Sequence, residues 1–523
     1  MGSSTWYSTK SQMIRKALQL ILATTPFVLV IQPLAFAADR ARTVTVNGDF
    51  ENGLTSWKAT GDVSVETSTP LEGHASLRIG PGAGSVTQRI AVGSDNHMMV
   101  SALIDSTPAG AGKLTVRFLD KDGRELMTLD SLRDIKPGKQ RGELSDYFKP
   151  HPLTASVEIE VSKNDPLATV LVDQVKLEVY EEIDPALKDT EELSEMMRPF
   201  WKGNVVTNEA ILMFSQNGKP ASGTLMFQPT RILSVTDYST ITHYREGVDF
   251  TTAGRSLTST PNSRMTQVKD TDLLGGDLKW NIIGGKQVLV TYEHSDAWSG
   301  PAQSYVGANL PNTMQKLSAH APLKIVAYGD SITFGIGSSQ IFRIAPFQAP
   351  WIDLFTRQLQ QVYRDTNITL YNSSQSGADS DWAKGMAQRM VASLEPDLVV
   401  IAFGQNDFWS VSPDTFAGNV SSIIQTVRSG NPKAEFLLVS TMRFDPAYAA
   451  DNIYWDNVTE YDSKLRALIG PGVQLIDMTA ISGAVFAAKA PKDCLNDPLH
   501  PNDYLSRWYA QSLTAALVPA SQR

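Results

Sequence analysis

The chain has 523 residues, so it is too long for one hydrophobic core and should divide into two or three domains. Hydrophobic residues make up 42% and charged residues 19%, proportions that exclude a largely disordered chain. The net charge of −9 and the lack of a stripe of Lys and Arg argue against a nucleic-acid-binding protein and favour a neutral or weakly charged substrate.

The first 37 residues have the pattern of an export signal. A basic stretch precedes an apolar run over residues 17–34, and Ala35-Phe-Ala37 is a small-x-small cleavage site. An uncleaved membrane anchor is the alternative, although two prolines within the run disfavour it. The only cysteine is Cys494, so the chain can form no intramolecular disulfide. We therefore expect a soluble protein in the periplasm or outside the cell.

Residues 42–181 are expected to form an all-β sandwich, because short strand-like runs alternate with turns rich in Gly and Pro. The runs are 43–46, 63–66, 75–79, 114–118, 155–161 and 169–173. The opening segment 47–57 and the closing segment 172–179 resemble the jelly-roll carbohydrate-binding modules of bacterial glycan-degrading enzymes. The resemblance implies that this region binds polysaccharide.

Two features of this region have competing interpretations. Trp57 is either a platform for a sugar ring or an indole packed in the core, and core packing is favoured. The carboxylates of Asp49, Glu51 and Asp173 either converge on a structural Ca²⁺ ion or form a solvated edge.

Residues 182–320 predict a small β-rich domain. A short helix is expected over 191–197, and strand-like runs follow it at 210–214, 223–227, 231–235 and 287–292. The region contains no constellation of catalytic residue types. We expect a scaffold that packs on the next domain and shapes one wall of its cleft.

From residue 321 to 523, apolar runs alternate with helical patterns. The runs are 324–328, 368–371, 397–403, 435–440 and 473–476. One helix has Ser412 at its N-cap, Pro413 at its first position and Gly430 at its end, and another is expected over 502–516. This alternation predicts an α/β domain with a parallel sheet, right-handed crossovers and helices on both faces.

Ser331 follows the first of these runs, in the sequence Gly-Asp-Ser-Ile. A strand that enters a tight turn and then a helix holds a serine hydroxyl at the sheet edge, where enzymes place nucleophiles. Asp497 and His500 are three residues apart, close enough for the carboxylate to orient the imidazole. Together they supply a nucleophile, an orienting group and a general base. Asp330 is expected to brace the turn, and Cys494 to be a bystander thiol.

Two further blocks, Asn372-Ser-Ser-Gln-Ser-Gly377 and Gly404-Gln-Asn-Asp407, follow predicted strands. Parallel strands end at one edge, and open α/β folds build their sites there. The amide N–H of Gly377 and the side chain of Asn406 are suitable donors to an oxyanion.

The four blocks, in order over about residues 323 to 517, resemble those of the SGNH or GDSL hydrolases. The resemblance implies a flavodoxin-like three-layer domain with a five-stranded parallel sheet. It also implies a triad of Ser331, His500 and Asp497, and an oxyanion hole formed by Ser331, Gly377 and Asn406. The preceding β-rich region is similar to a β-module found before the hydrolase domain in some bacterial acetylesterases.

Aromatic residues directly after the second and third blocks are candidates to stack on a sugar ring in the cleft: Trp382, Phe408 and Trp409. Core packing is the alternative for Trp382. Arg443 follows another strand and could contact substrate, with a surface ion pair as the alternative.

These features predict a secreted carbohydrate esterase that removes O-acetyl groups from a plant or microbial polysaccharide. Two alternatives stay open, namely a lipase-like or lysophospholipase-like esterase and a glycan-binding protein with an inactive hydrolase domain. No cluster with metal-ligand spacing occurs near the triad, so we expect no metal and no other cofactor. The expected partners are an acylated carbohydrate or another small ester and, through the sandwich, a polysaccharide. We expect no nucleic acid and no membrane insertion after signal removal.

Overall fold

The computed structural model describes residues 41–93, 97–131, 141–148, 150–163, 165–180, 192–269, 284–342, 344–364, 367–445 and 455–522. The predicted export signal and residues 182–191 lie outside these ranges. No helix within the ranges is long and apolar enough to cross a membrane.

Residues 41–180 form an antiparallel β-structure, as predicted. Its strands are β1 (Ala41–Thr43), β2 (Lys58–Glu66), β3 (Ser76–Ala91), β4 (His97–Thr107), β5 (Gly112–Leu119), β6 (Glu125–Ser131), β7 (Arg141–Phe148), β8 (Ser156–Lys163) and β9 (Thr169–Tyr180). Their order is β6-β5-β8-β3-β9-β4-β7, with β1 added to β9 and β2 to β3. The long strand β3 pairs with β9 near its start and with β8 near its end. This strand therefore joins the group β6-β5-β8 to the group β9-β4-β7.

Trp57 packs in the core of this region, as the favoured interpretation predicted. Its ring is 6% exposed and its centroid lies 5.4 Å from that of Phe50. The indole N–H donates to the carbonyl of Asn47 over 2.9 Å. The indole is therefore a part of the fold and no platform for a sugar.

The carboxylates suggested for Ca²⁺ are oriented onto nearby protein donors. Asp173 accepts from the hydroxyl of Ser76 over 2.7 Å and from the amide of Glu72 over 3.1 Å. Glu51 accepts from the amide of His74 over 2.7 Å, and Asp49 is exposed. Among the residues that the structure describes, no group of three or more His, Cys, Asp or Glu side chains has the arrangement of a metal site.

Residues 192–269 and 284–294 are the described part of the middle β-region, and this part contains one helical turn, α1 (Leu193–Met196), and two sheets. The first sheet has the order β10-β17-β13, with β10 (Val205–Ile211), β13 (Pro229–Asp237) and β17 (Val288–His294). The second has the order β14-β15-β12-β11-β16, with β11 (Phe214–Ser215), β12 (Ser222–Thr224), β14 (Phe250–Ala253), β15 (Ser256–Ser259) and β16 (Val268–Lys269).

Two strands predicted for this region have other bounds than expected. The run 210–214 is interrupted at Leu212, because its amide donates to the carboxylate of Asp493 over 2.8 Å. The run 223–227 ends at Thr224, and the amide of Met226 donates to the side chain of Glu209 over 2.7 Å. At both places a backbone amide donates to a side-chain carboxylate and not to the carbonyl of a neighbouring strand.

The last region is the predicted α/β domain. Its five parallel strands have the flavodoxin-like order β19-β18-β20-β21-β22 and comprise β18 (Leu323–Gly329), β19 (Ile368–Asn372), β20 (Leu398–Ala402), β21 (Glu435–Val439) and β22 (Val473–Ile476). The helices are α2 (Pro311–Ala319), α3 (Ser331–Phe334), α4 (Trp351–Tyr363), α5 (Ser380–Met390), α6 (Pro413–Gly430), α7 (Trp455–Arg466), α8 (Met478–Ala488) and α9 (Asp503–Leu517). Ser412 caps α6 as predicted, by accepting from the amide of Thr415 over 3.2 Å.

The two accessory regions pack on opposite faces of this sheet. Alternate residues of β18 enter two different cores, with Val326 and Tyr328 on one side and Ile325 and Ala327 on the other. The core containing Val326 also includes the apolar side chains of α5 and of the sandwich. The core containing Ile325 includes those of α4, α9 and the middle β-region.

Candidate active site

Ser331 is held in a tight turn at the carboxyl edge of the sheet. Gly329 is needed because a Cβ atom there would lie 2.5 Å from the carbonyl oxygen of Ala402. Asp330 caps α3 by accepting from the amide of Ile332 over 3.0 Å, so it braces the turn. Burial raises the pKa of Asp330 to about 6.

The three predicted triad residues lie together. The hydroxyl oxygen of Ser331 is 2.8 Å from Nε2 of His500, and Nδ1 of His500 is 2.8 Å from Oδ2 of Asp497. The relative exposures are 6%, 4% and 7% for Ser331, His500 and Asp497. Because Asp497 accepts from Nδ1–H, the neutral imidazole presents the lone pair of Nε2 to the hydroxyl group.

His500 has a pKa above its ordinary value. Burial alone would lower this pKa, but the negative charge and hydrogen bond of Asp497 and the charge of Asp330 oppose that effect and outweigh it. A carboxylate paired with the ring stabilises the imidazolium form. The arrangement suits a base that takes a proton from the hydroxyl group and holds it beside the reacting atoms.

Asp497 and His500 belong to a compact hairpin, residues 493–502, that we call the triad loop. Leu495 pairs with Pro501, and the amide of Asn496 donates to the carbonyl of His500 over 3.0 Å. The carboxylate of Asp497 also accepts from the amide of His500 over 2.8 Å. The contacts that hold Asp497 and His500 together therefore all lie within the triad loop.

The triad loop approaches the nucleophile turn closely at one glycine. Gly337 has a φ of +102°, and a Cβ atom there would lie 2.1 Å from the carbonyl oxygen of Pro501. The side-chain amide of Asn496 donates to the carbonyl of Gly337. These contacts fix one side of the loop relative to Ser331.

The second and third sequence blocks lie beside the same turn. The amide of Gln375 donates to the carbonyl of Gly329 over 3.0 Å, and the side chain of Asn406 donates to the carbonyl of Ala378 over 2.9 Å. Gly377 has a φ of +77°, a conformation that favours glycine. Within the described part of the chain, no hydrogen bond engages the amide N–H of Ser331 or Gly377. The structure thus brings the three predicted oxyanion donors into adjoining loops.

Asp407 is a site-associated residue that the sequence reasoning missed. It is fully buried, and its carboxylate accepts from the amide of Ser380 over 2.9 Å, which joins the third block to the start of α5. Burial raises the pKa of Asp407 to about 7, and the nearby carboxylates of Asp379 and Asp330 add to the rise. Its position in Gly-Gln-Asn-Asp407 was the available signal.

The predicted cleft aromatics belong mainly to the core. Phe408 is fully buried and contacts Trp409 and Phe444, with centroid distances of 4.1 and 4.8 Å, so its prediction as a cleft residue was wrong. Trp382 is half-buried and packs toward Tyr328, with centroids 6.2 Å apart, which is the core-packing alternative. Trp409 is half-buried on the same core.

Arg443 is half-buried at the end of the fourth strand of the sheet. Its amide donates to the hydroxyl of Ser482 over 2.8 Å, and Cγ of its side chain lies near Gly483. Substrate binding by Trp382, Trp409 and Arg443 stays a prediction.

The sequence of the α/β domain matches a known family. Residues 327–507 match the model of the GDSL-like lipase/acylhydrolase family, which confirms the resemblance seen in the four blocks. This match supports an ester-hydrolysing enzyme. No curated protein sequence matches the chain.

Several solved structures are similar in fold to parts of the chain. An acetyl xylan esterase, AlAXEase, is 21% identical over 38% of this chain and 100% of its own, with a TM-score of 0.32. TmCBM61, solved in complex with beta-1,4-galactotriose, is 14% identical over 26% of this chain and 97% of its own, with a TM-score of 0.21.

A third structure is the enzymatically active domain of tailspike protein 4 from bacteriophage CBA120. It is 16% identical over 26% of this chain, with a TM-score of 0.23, and the match spans 21% of the tailspike chain. All three TM-scores are below 0.5, so these likenesses give no information about the activity of the chain.

Proposed function

We propose that this chain, whose residues 327–507 form a GDSL-like acylhydrolase domain, is a secreted serine esterase that removes O-acetyl groups from a polysaccharide. The observation that carries the proposal is the alignment of Ser331, His500 and Asp497, in which two distances of 2.8 Å connect the hydroxyl group to the ring and the ring to the carboxylate. A hydroxyl group alone is a weak nucleophile, and an adjacent oriented base is what activates it.

In the first half-reaction, the Oγ atom of Ser331 attacks the ester carbonyl carbon while Nε2 of His500 takes the hydroxyl proton. The carbonyl oxygen becomes an oxyanion, which accepts hydrogen bonds from the N–H groups of Ser331 and Gly377 and from the amide of Asn406. His500 then gives its proton to the leaving sugar oxygen as the C–O bond breaks. The product is an acetyl ester of Ser331 and a free hydroxyl group on the polysaccharide.

In the second half-reaction, water replaces the alcohol. His500 takes one proton from the water, whose oxygen attacks the acetyl carbon. That proton then passes to Oγ of Ser331 as acetic acid leaves, which loses its own proton to the solvent. Asp497 stabilises the imidazolium in both halves and keeps the ring oriented. The net reaction consumes one ester and one water molecule, and the triad returns to its starting state.

Polar groups around the turn support a hydroxyl-rich substrate. The hydroxyl oxygens of Ser373 and Ser374 and the amide oxygen of Gln405 are buried and have no hydrogen-bond partner among the described residues. These three residues belong to the second and third blocks, beside the predicted oxyanion donors. Buried polar groups of this kind make the surroundings of the turn polar, which suits a carbohydrate better than a long acyl chain.

Export and polysaccharide binding complete the proposal. The basic and apolar segments before Ala35-Phe-Ala37 support a cleaved signal, and mass spectrometry of the exported protein should find Ala38 at its N-terminus. The likeness of residues 47–57 and 172–179 to carbohydrate-binding modules supports a sandwich that holds the enzyme near its polymer.

Acyl specificity and acetate release test the function. The purified protein should hydrolyse p-nitrophenyl acetate faster than the butyrate, octanoate and palmitate esters, and should release acetate from at least one member of a panel of acetylated polysaccharides. Faster turnover of the long-chain esters would favour the lipase-like alternative. Glycan binding with no turnover of any ester would favour the inactive binding protein.

A further inference from the structure

The middle β-region also contacts the triad loop, at backbone groups that Gly337 does not reach. The side-chain amide of Gln287 donates to the carbonyls of Lys492 and Leu495, over 2.9 and 2.7 Å. Gln287 is 1% exposed, and it precedes β17 directly in the chain. One buried side chain of the middle β-region therefore binds two backbone carbonyls at the start of the triad loop, which carries His500.

A buried ion pair anchors the segment just before this loop. Nζ of Lys489 lies 2.5 Å from the carboxylate of Glu209, and both side chains are fully buried. The same ammonium group donates to the carbonyl of Ala210 over 2.7 Å, and the hydroxyl of Tyr292 donates to Glu209 over 2.6 Å. Buried charges with all these partners are costly to separate, so the junction between the two regions is rigid.

These contacts matter because of how the Asp497–His500 pair is built. The pair is closed inside the triad loop, so a movement of the loop carries both residues together. What such a movement changes is the distance from Nε2 of His500 to Oγ of Ser331. Leu495 is the residue that pairs with Pro501, next to His500, and its carbonyl is one of the two groups that Gln287 binds.

We propose that Gln287 is a positioning residue that keeps His500 within reach of Ser331, so that the middle β-region completes the catalytic unit. This inference rests on the proposed role of His500 as the base. It goes further, because it assigns part of the alignment to a residue 213 positions before His500, outside the family-matched segment 327–507.

The chain contains a matched control for this proposal. Gln511, on α9, also binds the middle β-region with its amide group, which donates to the carbonyls of Met196 and Arg198 over 2.9 and 2.8 Å. It is 1% exposed, like Gln287. Removing either amide leaves two interface carbonyls without that donor, but only Gln287 is bonded to the triad loop.

The test compares Gln287→Met with Gln511→Met in the full chain, using p-nitrophenyl acetate and thermal melting. We expect Gln511→Met to lose at least as much stability as Gln287→Met, because Oε1 of Gln511 also accepts from the amide of Phe200 over 3.1 Å. Only Gln287→Met should lower kcat, by about 10- to 100-fold, because small misplacements of a catalytic group have effects of that size. KM should stay within about twofold, since the ester-binding groups are not touched. The acid limb of the pH profile should not move, because it reports the pKa of His500 and the hydrogen bond between Asp497 and His500 is kept.

A second variant tests the same two hydrogen bonds through the protonation of the side chain. Gln287→Glu keeps the length of the side chain but cannot donate to the two carbonyls once it is ionised. It should lower kcat at pH 8 at least as much as Gln287→Met, with partial recovery relative to that variant as the pH falls and the carboxyl group regains its proton.

Two results would overturn the proposal. In one, the Gln287 variants keep wild-type kcat, so that Asn496 and Gly337 alone position the loop. In the other, Gln511→Met lowers kcat equally, so that the loss reflects the interface in general. The proposed function fails separately, and takes this inference with it, if Ser331→Ala retains the wild-type turnover.

Discussion

The two accessory regions contact the α/β domain in different ways. The sandwich contacts α5 through apolar side chains. In the described residues, its polar contacts there are those of His151, whose Nε2 lies 3.1 Å from the carbonyl of Arg389, and of Glu125, which lies 3.8 Å from the Arg389 guanidinium. The middle β-region instead contributes a buried ion pair and a set of hydrogen bonds to the triad loop and to α9.

The difference indicates different roles for the two regions. An exposed ion pair such as Glu125–Arg389 contributes little to stability, whereas losing one partner of a buried pair leaves the other charge uncompensated. We therefore treat the middle β-region as a part of the catalytic unit and the sandwich as an attached module. One contact near the site qualifies this division, because the ring of His97 lies 5.5 Å from that of Phe334, three residues after Ser331.

The largest effect should come from the buried pair. Glu209→Ala leaves Lys489 buried without its partner and should lower the free energy of unfolding by about 3–5 kcal/mol. Glu125→Ala, its counterpart at the sandwich junction, should cost less than about 1 kcal/mol. Urea unfolding of the two variants measures both values. Equal losses would mean that the two junctions do not differ in the way described.

The next effect concerns a group that neither accessory region contacts in the described structure. Asn406→Ala should lower kcat by roughly 10²–10³ with little change in KM, because its amide serves a charge present only in the transition state. The factor should be the same in the full chain and in a chain lacking residues 42–181. A defect confined to KM would assign Asn406 to substrate binding instead.

A smaller effect should appear at the sandwich junction as the pH falls. Burial lowers the pKa of His151 to about 4, although the hydrogen bond from Nε2–H to the carbonyl of Arg389 opposes this shift. The ring accepts from the amide of Leu153 at Nδ1. The folded pKa lies below the unfolded value of about 6.5, so the stabilisation is complete above pH 6.5 and is lost as the pH falls toward 4. The loss should be of the order of 1 kcal/mol between pH 7 and 5.5.

Melting curves of wild type and His151→Gln across this pH range measure that loss. Glutamine can still donate to the carbonyl of Arg389 but does not titrate, so the variant should lack this part of the pH dependence. Arg389 and Glu125 are retained in both proteins and serve as a common background. Identical slopes would show that His151 does not couple the junction to pH.

The smallest effect on chemistry should follow removal of the sandwich. A chain lacking residues 42–181 should hydrolyse small acetyl esters nearly as well as the full chain, while its activity on polymeric or insoluble glycan falls, because a binding module acts by effective concentration. Loss of small-ester turnover in a protein that still folds would make the sandwich a part of the active site. His97→Ala would then ask whether its contact with Phe334 is responsible.

Much of the α/β domain could be predicted because its signals are local. Each strand is a short apolar run, and the carboxyl ends of parallel strands meet at one edge, so residues as distant as Ser331 and His500 could be assigned to one site. The N-cap at Ser412 could also be predicted from the sequence, since it depends on residues within one helical turn.

The remaining features depend on contacts between distant segments. Gln287 reaches carbonyls 205 and 208 residues away, and backbone acceptors leave no pattern in a sequence. Phe408 was assigned to the cleft from its place after a block, but the strand end turns it into the core. The burial of Glu209 could not be predicted, because its partner Lys489 is distant in the chain.

The account depends most on Ser331 as the nucleophile. A serine-directed phosphonate ester, followed by peptide mass spectrometry, should give one adduct, on Ser331, and should abolish hydrolysis of p-nitrophenyl acetate in proportion to labelling. Ser331→Ala should keep the fold, take up no label and show no turnover. An adduct on another residue, or turnover retained in Ser331→Ala, would contradict the account.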